Sequence, residues 1–163
     1  MTVDEIYANI GETIVQNLEE TEWQQAILKI YMDAYPEAVG YQLFYRTATN
    51  ETMSKDIQYY PDNAAVEELF LLFLKGSSAW NEAEFILEPD GTFSMNFNWN
   101  DPEIFVAAKN KDWKKVCTLL QEGKNTRLLG SDGRTFTQYI LEEKDVPEEV
   151  HELVKKSGEE YVK

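Results

Sequence analysis

The 163-residue sequence predicts an α+β fold. The expected architecture is a five-stranded antiparallel sheet in the order helix, three strands, helix, β-hairpin, followed by an all-helical segment. Three observations predict it. Apolar residues recur at three- and four-residue steps over 4–20 and 62–75. They alternate with polar residues over 23–35, 41–49, 52–59 and 81–99. From Pro102 onward the apolar pattern is helical throughout, so the chain divides into residues 1–101 and 102–163.

The first helix is carried by Ile6, Ile10, Ile14 and Leu18, with Tyr7 and Val15 widening the stripe. Asp4 and Glu5 sit in its first turn, where negative charge is favourable. Gly11 lies mid-helix at a cost of about 1 kcal/mol relative to alanine, which close packing on the sheet would explain. In the first strand, 23–35, Ala26, Leu28, Ile30 and Met32 form one face. Ile27, Lys29, Tyr31 and Asp33 form the other. Pro36 to Gly40 supplies a turn, and 41–49 returns. A weaker strand follows over 52–59. Pro61 and Asp62 start the second helix, Asp62 as cap or first-turn acid. Its core face is Val66, Leu69, Phe70, Phe73 and Leu74, and Gly76-Ser77-Ser78 ends it.

The hairpin has the most complete local signal. Pro89-Asp90-Gly91 suits a type I turn closed by a glycine bulge. A three-residue loop pairs Leu87 with Phe93, Phe85 with Met95 and Ala83 with Phe97, so apolar residues face apolar residues. A two-residue Asp-Gly loop would pair Glu88 with Phe93 and mix the faces, which burial of one face penalises. Short connections predict both helices on one face, against the apolar side of the hairpin. The polar side carries Glu82, Glu84 and Glu88.

In the tail, 102–110 and 112–122 form one helical pair, 135–144 and 147–156 a second, with a turn at Asp132-Gly133. FVAAKNKDWKKVCTLLQEG resembles an ankyrin helix pair, and DGRTF the start of the next unit. Ala107-Ala108 to Ile140-Leu141 is 33 residues, the ankyrin period. The usual Thr-Pro-Leu-His is here Thr135-Phe136-Thr137-Gln138, and a convergent pair of helical hairpins is the alternative. Two such units are too few to stand alone, so the tail is expected to pack on the first domain.

Composition narrows the function. With 43% hydrophobic and 13% aromatic residues, a proper core can form. No apolar run is long enough to span a membrane, and the N-terminus has no signal-peptide pattern. The single cysteine, Cys117, excludes an internal disulfide and fits a reducing cytoplasm. As a small core residue on a helix it is read before any nucleophilic role. Net charge is −15, and residues 1–108 hold 4 basic residues, Lys29, Arg46, Lys55 and Lys75, against 19 acidic ones. Residues 109–163 hold 11 of each. That asymmetry repels nucleic acid and favours a basic protein partner; solubility alone is the plainer account.

No phosphate-binding glycine loop or Cys/His metal spacing is present. His151 reads as a surface histidine on an amphipathic helix. Neither cofactor nor metal is expected, and the chain does not read as an enzyme.

Residues 6–101 resemble the YezG-like antitoxin and immunity family of bacterial proteins. The likeness runs through Ile6-Tyr7, Ile10-Gly11-Glu12, Trp23, Ala26 and Leu28, then Phe44-Tyr45 and Asp56-Ile57. It ends at Trp80 and the hairpin FILEPDG with its aromatic strand. Arg46 stands where that family tends to continue a tyrosine pair. A helical tail after residue 101 is more similar to a neisserial Maf-type immunity protein. The resemblance implies binding and neutralisation of the C-terminal domain of a cognate secreted toxin, a basic nuclease domain in the commonest case, by occluding its active-site groove. The candidate contact residues are Glu82, Glu84 and Glu88, with Asp33 beside them if the first strand is adjacent, and Tyr31 and Trp99 as aromatic anchors. Trp99 is also in phase with the buried face. The competing reading is an ankyrin-type interaction scaffold whose acidic domain is only soluble.

Overall fold

The computed structural model describes residues 1–36, 38–76 and 78–157. Glu37 in the expected 36–40 turn and Ser77 at the end of the second helix lie outside the described residues. The chain forms two compact units, Met1–Trp99 and Asn100–Lys163.

The first unit is a helix α1 (Val3–Asn17), strands β1 (Gln25–Tyr31), β2 (Gly40–Arg46) and β3 (Thr52–Lys55), a helix α2 (Asn63–Lys75), and a hairpin of β4 (Glu82–Leu87) and β5 (Phe93–Asn98). The sheet order is β3-β2-β1-β4-β5, and every neighbouring pair is antiparallel. β1 is therefore central. α2 carries the chain from one edge of the sheet to the far side of β1.

The hairpin register is the expected one. Phe85 faces Met95, Leu87 faces Phe93 and Ala83 faces Phe97. The Glu88 amide donates to the Thr92 carbonyl at 2.8 Å, and Gly91 has φ +89°. Asp90 braces the turn by accepting from the Thr92 amide at 2.9 Å and its hydroxyl at 2.7 Å. Those two bonds hold its carboxyl below the ordinary aspartate range.

One face of the sheet buries Ala26, Leu28, Ile30, Leu43, Ala83, Phe85 and Leu87. α1 lays Ile6, Ile10 and Ile14 into this core, and α2 lays Ala65, Val66, Leu69 and Phe70. An aromatic chain runs Phe73, Phe97, Trp80, Phe70, with centroid steps of 4.8, 5.4 and 5.7 Å. Phe93 also lies on the helix side, stacked on Phe85 at 4.8 Å. It remains 48% exposed because β5 is an edge strand. Phe73 and Leu74 are half-buried rather than core.

Three strands are shorter than expected, for physical reasons, and β2 ends at Arg46 because residues 47–51 form a turn in which the Thr47 amide donates to the Glu51 carbonyl at 2.8 Å. β1 ends at Tyr31 because residues 33–36 turn away. β3 ends at Lys55 because the following backbone bonds to α1 instead of to a strand. The buried Asn17 accepts the amides of Gln58 and Tyr59 at 2.8 and 3.1 Å and donates to the Tyr59 carbonyl at 2.8 Å. Two turns earlier on α1, Asn9 accepts the amide of Asp62 at 3.0 Å. α1 also starts earlier than expected, at a capping box of Thr2 and Glu5. Asp62 is the cap of α2.

The second unit contains α3 (Glu103–Lys109), α4 (Trp113–Gln121), α5 (Phe136–Glu142) and α6 (Glu148–Lys156). α4 packs on both α3 and α6. The unit has its own core, in which Phe105, Val116, Phe136, Ile140, Val150 and Val154 are each at most 2% exposed. Leu120 and Leu153 are half-buried. Leu129 bridges to Thr135 across the turn at Asp132-Gly133. The starts of α3 and α5, Glu103 and Phe136, are 33 residues apart. Those of α4 and α6, Trp113 and Glu148, are 35 apart, the extra two residues lying in the longer loop 143–147.

Candidate partner-binding surface

The face of the sheet opposite α1 and α2 collects most of the residues singled out from the sequence. Antiparallel pairing of β1 with β4 sets Tyr31 opposite Glu82 and Lys29 opposite Glu84. β2 sets Gln42 opposite Lys29 and Arg46 opposite Gln25. Glu82, Glu84 and Glu88 thus share one half-exposed face with Tyr31.

This face is less anionic than three glutamates suggest. Lys29 Nζ lies 3.6 Å from Glu84 Oε1 and 5.5 Å from the centre of the Phe44 ring. Gln25 Nε2 donates to Glu88 Oε1 at 2.7 Å, and the Tyr31 hydroxyl donates to Gln42 Oε1 at 3.0 Å. Arg46 stands on the same face. Three acids are therefore interleaved with two cations. Such half-exposed pairs contribute about 0–1 kcal/mol each. Asp33 departs from expectation: it lies in the exposed turn after β1, not on a strand. Trp99 follows the end of β5 and is half-buried.

A second feature lies on the helix side and was not predicted. α1 and the hairpin do not close completely, and a groove of about 750 Å³ runs between them. Tyr7, Gly11 and Val15 line it from α1, and Phe85, Leu87 and Phe93 from the strands. Trp23, expected within the first strand, precedes β1 and lines it too. Its rim carries Asp4 and Glu12, Glu88 borders it at the hairpin with its carboxylate bonded to Gln25 on the opposite face, and among the described residues no basic one lines it. The signal was available in the sequence: Tyr7 and Val15 lie beside the main stripe of α1, where the sheet edge no longer covers them.

Cys117 is half-buried on α4 against the tail core. Burial, with Glu149 nearby, raises its thiol, which opposes a thiolate nucleophile. His151, expected on the surface, is 9% exposed on the buried side of α6 between Val150 and Val154. Among the described residues, no group of three or more His, Cys, Asp or Glu is placed to hold a metal ion. No described helix is long and apolar enough to cross a membrane. No family model matches the chain, and no curated protein matches it.

Proposed function

We propose that this chain is an immunity protein: a non-catalytic, stoichiometric inhibitor that binds the toxic domain of a cognate secreted toxin in the cytoplasm of the producing cell. The toxin domain is basic, as a nuclease must be to hold a polyanion. The acidic first unit competes for that groove and speeds encounter through its field. The observation that carries this reading is the segregation of charge: the whole net charge of −15 lies in residues 1–108. The sequence resemblance to the YezG-like family supports the same reading. Glu82, Glu84 and Glu88, with Tyr31 beside them on the open sheet face, form the proposed contact.

The test is co-expression with candidate toxin domains, scored by survival. Reversal of Glu82, Glu84 and Glu88 to lysine should slow association and weaken protection, and make residual binding less sensitive to salt. The matched reversal of Glu148, Glu149 and Glu152 in the neutral tail should leave protection intact. Equal loss in both, or in neither, refutes the proposed surface. The scaffold reading, which the 33-residue helix spacing favours, predicts no protection by the native chain or by either variant.

A further inference from the structure

We infer that the groove between α1 and the β4–β5 hairpin is a docking site for a basic segment of a partner protein, which inserts bulky apolar side chains between lysines or arginines. The inference goes beyond the immunity reading, whose proposed contact is the opposite face of the sheet, and it rests on that reading for the partner's identity but not for the groove's chemistry.

Three features carry it. The floor is apolar and partly uncovered, with Phe93 48% and Val15 47% exposed. An exposed aromatic stacked on a buried one forms a hydrophobic platform suited to an inserted side chain. The rim is anionic along the helix, at Asp4 and Glu12, and among the described residues no cation lines it. On the open sheet face, by contrast, Lys29 already pairs with Glu84. The third feature is Gly11. A methyl group there would lie 3.9 Å from Phe85, an ordinary contact. Close packing therefore does not require the glycine, contrary to the expectation from sequence, although it weakens the helix. Its effect is to leave the middle of the groove open. Polar groups sit at the rim rather than converging inside, so the groove can accept a greasy side chain but offers little to orient a polar small molecule.

The probe is a short amphipathic peptide of lysine and leucine with one phenylalanine, titrated into the full chain and followed by amide chemical shifts and calorimetry. Saturable one-to-one binding is expected, with shifts concentrated on Tyr7, Gly11, Leu87 and Phe93. A peptide with glutamate for lysine, or serine for leucine, should bind at least about tenfold more weakly. Gly11→Leu, which favours the helix while filling the groove, should weaken binding about tenfold or more without lowering Tm. Shifts centred on Lys29 and Glu84, equal binding of the glutamate peptide, or full binding by Gly11→Leu with its fold intact would overturn the inference. So would sedimentation showing a dimer that Gly11→Leu abolishes, which would give the groove to a second copy. Absent peptide binding with toxin protection preserved would reject the groove alone. Peptide binding in a chain that protects against no toxin would reject the immunity reading alone.

Discussion

The two units handle charge in opposite ways. In the second, Lys109 pairs with Asp101 at 3.0 Å and Lys115 with Glu103 at 3.2 Å. Arg134 bridges Asp132 and Glu142 while lying 5.3 Å from the centre of the Tyr139 ring. In the first, Lys29–Glu84 is the one ion pair between side chains among the described residues. Most acids there have no cation to meet, so their mutual repulsion opposes folding. The comparison teaches that acidity in the first unit does not serve its own stability. Such acidity is what the proposed cationic partner would require.

The units also differ in how they are seamed, and this gives the largest expected effect. The first closes α1 against the 58–62 segment through a buried polar residue, Asn17. Asn17→Ala leaves the Gln58 and Tyr59 amides without their acceptor and should cost about 3 kcal/mol. Hydrogen exchange at those two amides should accelerate before that of β1. The nearest counterpart in the second unit is Thr126, 2% exposed, whose hydroxyl meets Ser157 at 2.9 Å. Thr126→Val should cost about 1 kcal/mol or less, because Ser157 is exposed and can bond water. Equal losses from the two substitutions would break the contrast.

The tyrosines sharpen it electrostatically. Tyr41 donates to Asn63 Oδ1 at 2.7 Å. Burial pushes its hydroxyl from the ordinary 10.0 to about 12, and Asp62 and Glu67 push the same way. Burial also raises Tyr139, but Lys109 and Arg134 oppose it. A raised folded-state value means that Tyr41 contributes fully while pH is below its unfolded value near 10. The contribution disappears as pH rises towards 12. Allowing for its partial exposure, the loss should be about 1 kcal/mol. Urea midpoints across that window should fall more steeply for the native chain than for Tyr41→Phe. Tyr139→Phe should change the slope less.

What sequence could and could not reveal follows from the range of each interaction. The hairpin was legible because its determinants are local: a turn tripeptide and period-two alternation on both arms admit one register. The tail helices were legible for the same reason, the expected 112–122 falling on α4 with Asp112 as its cap. β3 was drawn too long because alternation continues past Lys55, while Asn17, 41 residues before Gln58, takes the backbone bonds that would extend it. The three hairpin glutamates were correctly placed on one face. The ion pair of Glu84 with Lys29 and the hydrogen bond of Glu88 with Gln25 depend on β1 lying next to β4, a long-range pairing that no local pattern encodes. The groove was missed because it is a gap between two elements, each legible separately.

The smallest expected effect is also the most direct test of the contrast in charge. Glu84→Gln and Glu142→Gln each remove one carboxylate from an exposed ion pair, and side-chain shape is nearly unchanged. In the second unit, losing the Arg134 partner should destabilise by about 0.5 kcal/mol, within the range of exposed pairs. In the first, losing the Lys29 contact is offset by relief of repulsion from the remaining acids, so Glu84→Gln should be neutral or slightly stabilising. Salt should shrink both effects, because exposed charges are screened beyond about 10 Å at 0.1 M ionic strength. Chemical denaturation with urea, which leaves ionic strength unchanged, can resolve the two signs at low salt. If Glu84→Gln destabilises as much as Glu142→Gln, the acids of the first unit are internally compensated, and the case for an external cationic partner loses its main support.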